Sequence, residues 1–152
     1  MRPLRAHRTA AMSATLLCLV IAIGDGDSLS VRCGDRRPKR VRVAAIDAPE
    51  LRQAFGQRAR QNLARLCFRQ QARLYALGHD TYGRMLAHVR CGGQNVATAQ
   101  VRAGLAWVYA PQAGKHPRLE ALQAQARQAR TGLWSQPRPT APWDYRRRHK
   151  RH

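Results

Sequence analysis

The chain has 152 residues, of which 44% are hydrophobic, and it carries 28 Lys plus Arg against 8 Asp plus Glu, a formal net charge of +20. That length fits one domain and leaves no room for a second of ordinary size, and the apolar content excludes wholesale disorder. A pI near 11.7 points to a polyanionic partner, nucleic acid or less specifically an anionic membrane surface. Of the 28 cations 25 are Arg, whose planar fork grips phosphate with two hydrogen bonds.

The N-terminus is basic (Arg2, Arg5, Arg8), and residues 9–24 carry no charge. Basic-then-apolar is a signal-peptide profile, and the run is too short for a transmembrane span. The stretch 16–23 also reads as a buried strand, which cleavage near Gly24 would delete. Export, secreted or periplasmic, follows from the first reading, and a cytoplasmic protein from the second. Asp25-Gly26-Asp27 makes a turn, and 28–33 alternates Leu29, Val31 and Cys33 against Ser28, Ser30 and Arg32, so the two runs form a hairpin. A third strand is expected over 40–46, with Arg40 and Arg42 sharing one face. Pro49 breaks the chain after it.

Residues 54–67 have helical periodicity, with Phe55, Ala59, Leu63 and Leu66 as the apolar stripe. Strands follow over 71–77 and 85–91, separated by a loop at 78–83. Asn95 caps a helix over 96–103 that Gly104 ends. A last helix is expected over 117–130, with Pro117 in its first turn, Leu119, Leu122, Ala126 and Ala129 buried, and Gly132 as its stop. The Pro-rich, basic tail from 137 reads as disordered at its end. The chain thus divides into a basic segment 1–15, a domain 16–136 and a tail 137–152. Five short strands with a helix between the third and fourth give a mainly β fold with helices, the connectivity of an OB-type barrel.

In so basic a chain the acids are informative. Four of the eight fall in two clusters, Asp25-Gly26-Asp27 and Asp47-Ala48-Pro49-Glu50. Each alone reads as a turn or loop. Together they point to a cation held by hard oxygen ligands, of the Ca²⁺ or Mg²⁺ kind. The cysteines at 18, 33, 67 and 91 form no Cys-x-x-Cys motif, and no His pair has the spacing of one helix face, so a zinc site is disfavoured. Four cysteines allow three pairings. A cross-strand Cys18–Cys33 bridge is geometrically open, and four small buried thiols is the other reading. His79, His88 and His116 show no partner, and Trp107, Trp134 and Trp143 read as packing residues.

With these residues in place the chain resembles the staphylococcal nuclease (thermonuclease) family over about 18–134. The resemblance rests on Asp25-Gly26-Asp27-Ser28, Arg42 with Ile46-Asp47-Ala48-Pro49-Glu50, Asp80-Thr81-Tyr82-Gly83-Arg84, Gln100-Val101-Arg102-Ala103-Gly104-Leu105-Ala106 and Gly132-Leu133-Trp134, in the family's order. It implies an OB-type five-stranded barrel with three helices and a Ca²⁺-dependent nuclease, a monomer acting on DNA and RNA and leaving 3′-phosphate ends. By the same resemblance Asp27 and Asp47, with Ala48 where the founding member has Thr, would hold Ca²⁺. Glu50 would orient or deprotonate the attacking water, and Arg42 and Arg84 would bind the phosphate. Tyr82 and Tyr109 would line the nucleotide pocket, with Asp25 and Asp80 supporting. The loop between Glu50 and Phe55 is much shorter than in the founding member. A non-catalytic nucleic-acid-binding OB module is the alternative, disfavoured because all five charged positions are kept. Most of the cations, the Arg146–Arg151 run among them, are then expected to give sequence-blind attraction to the backbone without touching the chemistry.

Overall fold

The structure is a computed structural model, and it describes residues 15–34 and 36–150. Five strands close into a barrel: β1 (Thr15–Ile23), β2 (Ser28–Arg32), β3 (Lys39–Val43), β5 (Gln71–His79) and β6 (Met85–Cys91). Neighbours run antiparallel in the order β3-β2-β1-β5-β6, and a parallel β3–β6 pairing, Val41 opposite Met85, shuts the sheet on itself. Register irregularities at Val20–Ala22 in β1 and Ala76–Gly78 in β5 let long strands turn the barrel's corners.

The interior follows from period-two alternation. Cys18 and Val20, Leu29 and Val31, Val41 and Val43, Ala72 and Leu74, and Met85, Ala87, Val89 and Cys91 all point inward and are buried. Helix α1 (Gly56–Cys67) lays Ala59, Leu63 and Leu66 against this core. Phe55, expected within the helix stripe, precedes it in a left-handed conformation and is half-buried. Helix α2 (Val96–Arg102) starts at Asn95, whose side chain accepts from the Thr98 N–H at 2.9 Å, as the capping pattern predicts. Gly104, φ +69°, ends it. There any Cβ would fall 2.1 Å from the Thr131 carbonyl oxygen.

Helix α3 (Pro117–Gln128) buries Leu119 and Ala126, with Leu122 half-buried. Ala129, expected on the stripe, is the exposed C-cap residue. Arg130 follows in the left-handed region at φ +55°, and the Thr131 N–H returns to the Ala126 carbonyl at 3.0 Å. That is a Schellman closure with arginine where glycine usually stands.

Further expectations need correction. The third strand does not run through 40–46. Ala45, at φ +75°, breaks it, and a two-residue β4 (Ile46–Asp47) pairs instead with β8 (Trp107–Val108). A second short hairpin partner, β7 (Gln94–Asn95), follows β6. The tail is not disordered through residue 150. After a 3₁₀ turn at Gly132–Ser135, a fourth helix, α4 (Pro142–Arg148), packs Trp143 edge-on against Trp107 at 5.6 Å between ring centroids. Trp107 in turn meets Trp134 at 4.5 Å, so all three indoles are packing residues, as the sequence suggests.

Both cysteine pairs are bridged, Cys18–Cys33 across the first hairpin and Cys67–Cys91 from the end of α1 to the end of β6. The reading of four buried thiols is therefore overturned. No helix among the described residues is long and apolar enough to cross a membrane.

Candidate active site

The turn Asp25-Gly26-Asp27 sits on α1. Gly26 is there because a Cβ would lie 2.5 Å from Cβ of Ala59 and 2.8 Å from Cβ of Ala48. The fully buried Gln100 of α2 fixes the contact: its amide donates to the carbonyls of Gly26 (2.7 Å) and Ala59 (2.9 Å) and accepts from Asn62 (2.8 Å). Asp25 closes the turn by accepting from the Ser28 hydroxyl at 2.8 Å and the Asp27 N–H at 3.2 Å. Asp27 is thereby pushed inward, 4% exposed, where its Oδ2 accepts from the Ala48 N–H at 2.7 Å. Burial raises its carboxyl well above the ordinary value; Arg42 opposes this and the neighbouring Asp25 adds to it.

The break at Ala45 serves Arg42. With the strand folded back, the carbonyls of Val43 (2.5 Å) and Ile46 (2.7 Å) both accept from Nη1 of Arg42. The guanidinium is thus locked between two carboxylates, 3.9 Å from Asp27 and 3.8 Å from Asp47, with its charge facing the Tyr109 ring at 5.4 Å. Asp47, 2% exposed, lies on β4. Glu50 follows on the short loop, where its N–H donates to the Gln53 side chain at 3.0 Å.

Arg84 arrives from the β5–β6 turn. Asp80 accepts from the Tyr82 N–H (2.9 Å), the Arg84 N–H (2.9 Å) and Nε of Arg84 (2.7 Å). Desolvation resists ionisation of Asp80, but these bonds and the Arg84 charge outweigh it and hold the carboxyl below its usual range. Tyr82 is 73% exposed, its ring beneath Arg84 and its carbonyl accepting from Arg40 at 2.9 Å.

All the charged positions singled out in the sequence except Asp80 line one cavity of about 630 Å³, together with Tyr82 and Tyr109. A second cavity of about 550 Å³, more apolar, adjoins it and shares Arg42, Tyr82, Arg84 and Tyr109. Asp80 stands in this second cavity with His79, His88 and His116. Two of the three histidines do have partners: His88 and His116 meet edge-on at 6.5 Å, and His116 contacts Gln112 at 3.3 Å.

The donor set fits a hard divalent cation. Two buried carboxylates with a third at the rim offer hard oxygen ligands, which they share with Arg42 at nearly 4 Å and with Arg146 at 2.7 Å from Asp47 and 2.8 Å from Glu50. No three acidic, His or Cys side chains among the described residues are gathered tightly enough to enclose an ion by themselves. Such a site relies on backbone oxygen, water or substrate for its remaining ligands.

Three residues that the sequence reading left aside enter the site. Gln100 was legible only as part of a motif string. No sequence signal marks Gln53, whose amide donates to the Thr140 carbonyl at 2.6 Å, tying the Glu50 loop to the tail. Arg146, grouped with the sequence-blind cations, bonds Asp47 and Glu50 directly. Pro142 at the first turn with Asp144 behind it was a usable helix-start signal.

Comparisons with known proteins identify the family. A family model described as staphylococcal nuclease homologue matches residues 40–136. A micrococcal nuclease of Shigella flexneri is 42% identical over 142 residues, covering 86% of this chain and 80% of its own. Protein ParB of Escherichia coli is 41% identical over 138 residues, covering 84% and 77%. An uncharacterized endonuclease of Haemophilus influenzae is 38% identical over 133 residues, covering 88% and 74%. The chain therefore belongs to the staphylococcal nuclease family and is a nuclease, a hydrolase whose substrates are nucleic acids.

Proposed function

We propose that this nuclease is Ca²⁺-dependent and sequence-nonspecific, cleaving DNA and RNA by attack of water on phosphorus and leaving 3′-phosphate ends. One observation carries the reading: Asp27, Asp47, Glu50, Arg42 and Arg84 converge on a single cavity open to solvent. Asp27, Asp47 and the Ala48 backbone oxygen would hold the ion. When bound, it supplies charge neutralisation at the phosphate and a more acidic water.

The remaining chemistry belongs to the chain's own side chains. The phosphodiester is an anion, so an incoming hydroxide is repelled. Arg42 and Arg84 offset that charge most strongly as it gathers on the equatorial oxygens. Glu50 takes the proton of the attacking water, a P–O bond to that water forms, and the bond to the 5′ oxygen breaks, that oxygen taking up a proton from solvent. Tyr82 and Tyr109, at the junction of the two cavities, border the nucleoside. Asp25 shapes the turn and Asp80 aims Arg84.

The test is cleavage of end-labelled single-stranded DNA and of RNA by purified protein in Ca²⁺, in Mg²⁺ and in excess chelator, with the product termini analysed. Chelator-sensitive cleavage leaving 3′-phosphate is expected. Cleavage that persists in chelator, or none in Ca²⁺ by folded protein, would sink the reading.

We also propose that the protein acts in an oxidising compartment, secreted or periplasmic, as a monomer. The two disulfides support the compartment. Since Thr15–Ile23 is a barrel strand, any leader must be removed upstream of it. N-terminal sequencing of protein from its source cell tests this.

A further inference from the structure

One cation in the cavity does not behave like the others. Arg42 spends its hydrogen bonds on backbone carbonyls and stays nearly 4 Å from the acids. Arg146 grips them. Its Nη2 lies 2.7 Å from Oδ2 of Asp47, its Nη1 lies 3.2 Å from Oδ1 of the same carboxylate, and Nη1 also reaches Oε2 of Glu50 at 2.8 Å. Both oxygens of Asp47 are therefore engaged by one guanidinium fork.

The placement is built, not incidental. Helix α4 is pinned by Trp143 on Trp107 and by burial of Ala141 and Pro142. Gln53 links the same region to the Glu50 loop, accepting from the Glu50 N–H and donating to the Thr140 carbonyl.

We propose that Arg146 is a resident competitor of the metal site, a guanidinium that occupies Asp47 and sets how tightly the pocket takes up its divalent ion. This rests on the reading that Asp47 holds the ion. An arriving cation must take at least one Asp47 oxygen from the fork, and two cations on one carboxylate repel. Metal affinity is then lower than the carboxylates alone would give.

Calcium titration calorimetry on the full chain tests this, comparing wild type with Arg146→Ala, Arg146→Gln and Arg147→Ala. Arg147 pairs with Asp144 on the same helix and controls for the loss of one positive charge. Both Arg146 variants should bind Ca²⁺ on the order of tenfold more tightly, while Arg147→Ala stays near wild type. Near-ultraviolet circular dichroism of the indole cluster reports whether α4 remains docked, and Arg146→Gln keeps the test open if the alanine variant misfolds. Unchanged or weaker binding by a docked Arg146 variant, or an equal gain in Arg147→Ala, overturns the proposal. Absence of Ca²⁺ uptake by every protein, wild type included, overturns the metal reading itself and the competitor with it.

Discussion

The side-chain amide of Gln100 bonds the carbonyl of Gly26 and holds the acidic turn on helix α1 from 74 residues away. Asp27 has its inward position because Gly26 is pressed between Ala48, Ala59 and this amide. Replacing Gln100 by Leu strips the Gly26 carbonyl of its donor, while the Ala59 carbonyl keeps its bond within helix α1, and should cost about 1–3 kcal/mol. Activity should fall by more than the unfolded fraction explains, since the turn is released next to the chemistry. Urea denaturation and kcat on folded protein check the two effects separately.

Asp80 and Arg84 form a second unit. Arg84→Ala should lower kcat by about 10²–10³-fold, the usual cost of a preorganised charge in such a site. Asp80→Asn, which weakens the anchor but keeps Arg84, should lose less. The double variant should be no worse than Arg84→Ala alone, because aiming an absent side chain is worth nothing. An additive double variant would show that Asp80 acts on its own.

Disulfide removal has a calculable size. The Cys18–Cys33 and Cys67–Cys91 bridges close sequence separations of 15 and 24 residues. Loop-closure entropy puts each at about 3 kcal/mol. Cys18→Ala with Cys33→Ala, and the corresponding pair at 67 and 91, should each lower the denaturation midpoint accordingly. Reduction of the wild type should approach the sum.

A pH effect follows from the second cavity. Burial first, and His116 second, hold His88 below the ordinary histidine value. The unfolded chain therefore takes up this proton at higher pH than the folded one. Stability from this group is complete above about pH 6.5 and is lost as pH falls toward the folded value. Between pH 7 and 5 the Tm of wild type should drop further than that of His88→Gln.

Much of the barrel was legible because its signals are local. Val31, Val41, Leu74 and Val89 alternate with polar neighbours, and alternation is all an inward face requires. The five charged positions were legible through the family resemblance, and the cavity that gathers them makes the grouping physical. What escaped was non-local. Ala45 has no residue type that marks a left-handed break; the break exists because β4 pairs with β8 and the Arg42 guanidinium needs two carbonyls. Arg146 lies 99 positions from Asp47, inside a run of cations that composition makes unremarkable. The disulfides needed the barrel's closure before one pairing of three could be chosen.

The charge itself has a conformational cost. At the end of α3 the chain places Arg130 at φ +55°, where a side chain costs about 1 kcal/mol and glycine costs almost none. Arg130→Gly should therefore make the protein more resistant to heat while removing one of its 28 cations. Engineers seeking a hardier enzyme have a site to start from, a helix end where an arginine stands in the backbone conformation that glycine adopts most easily.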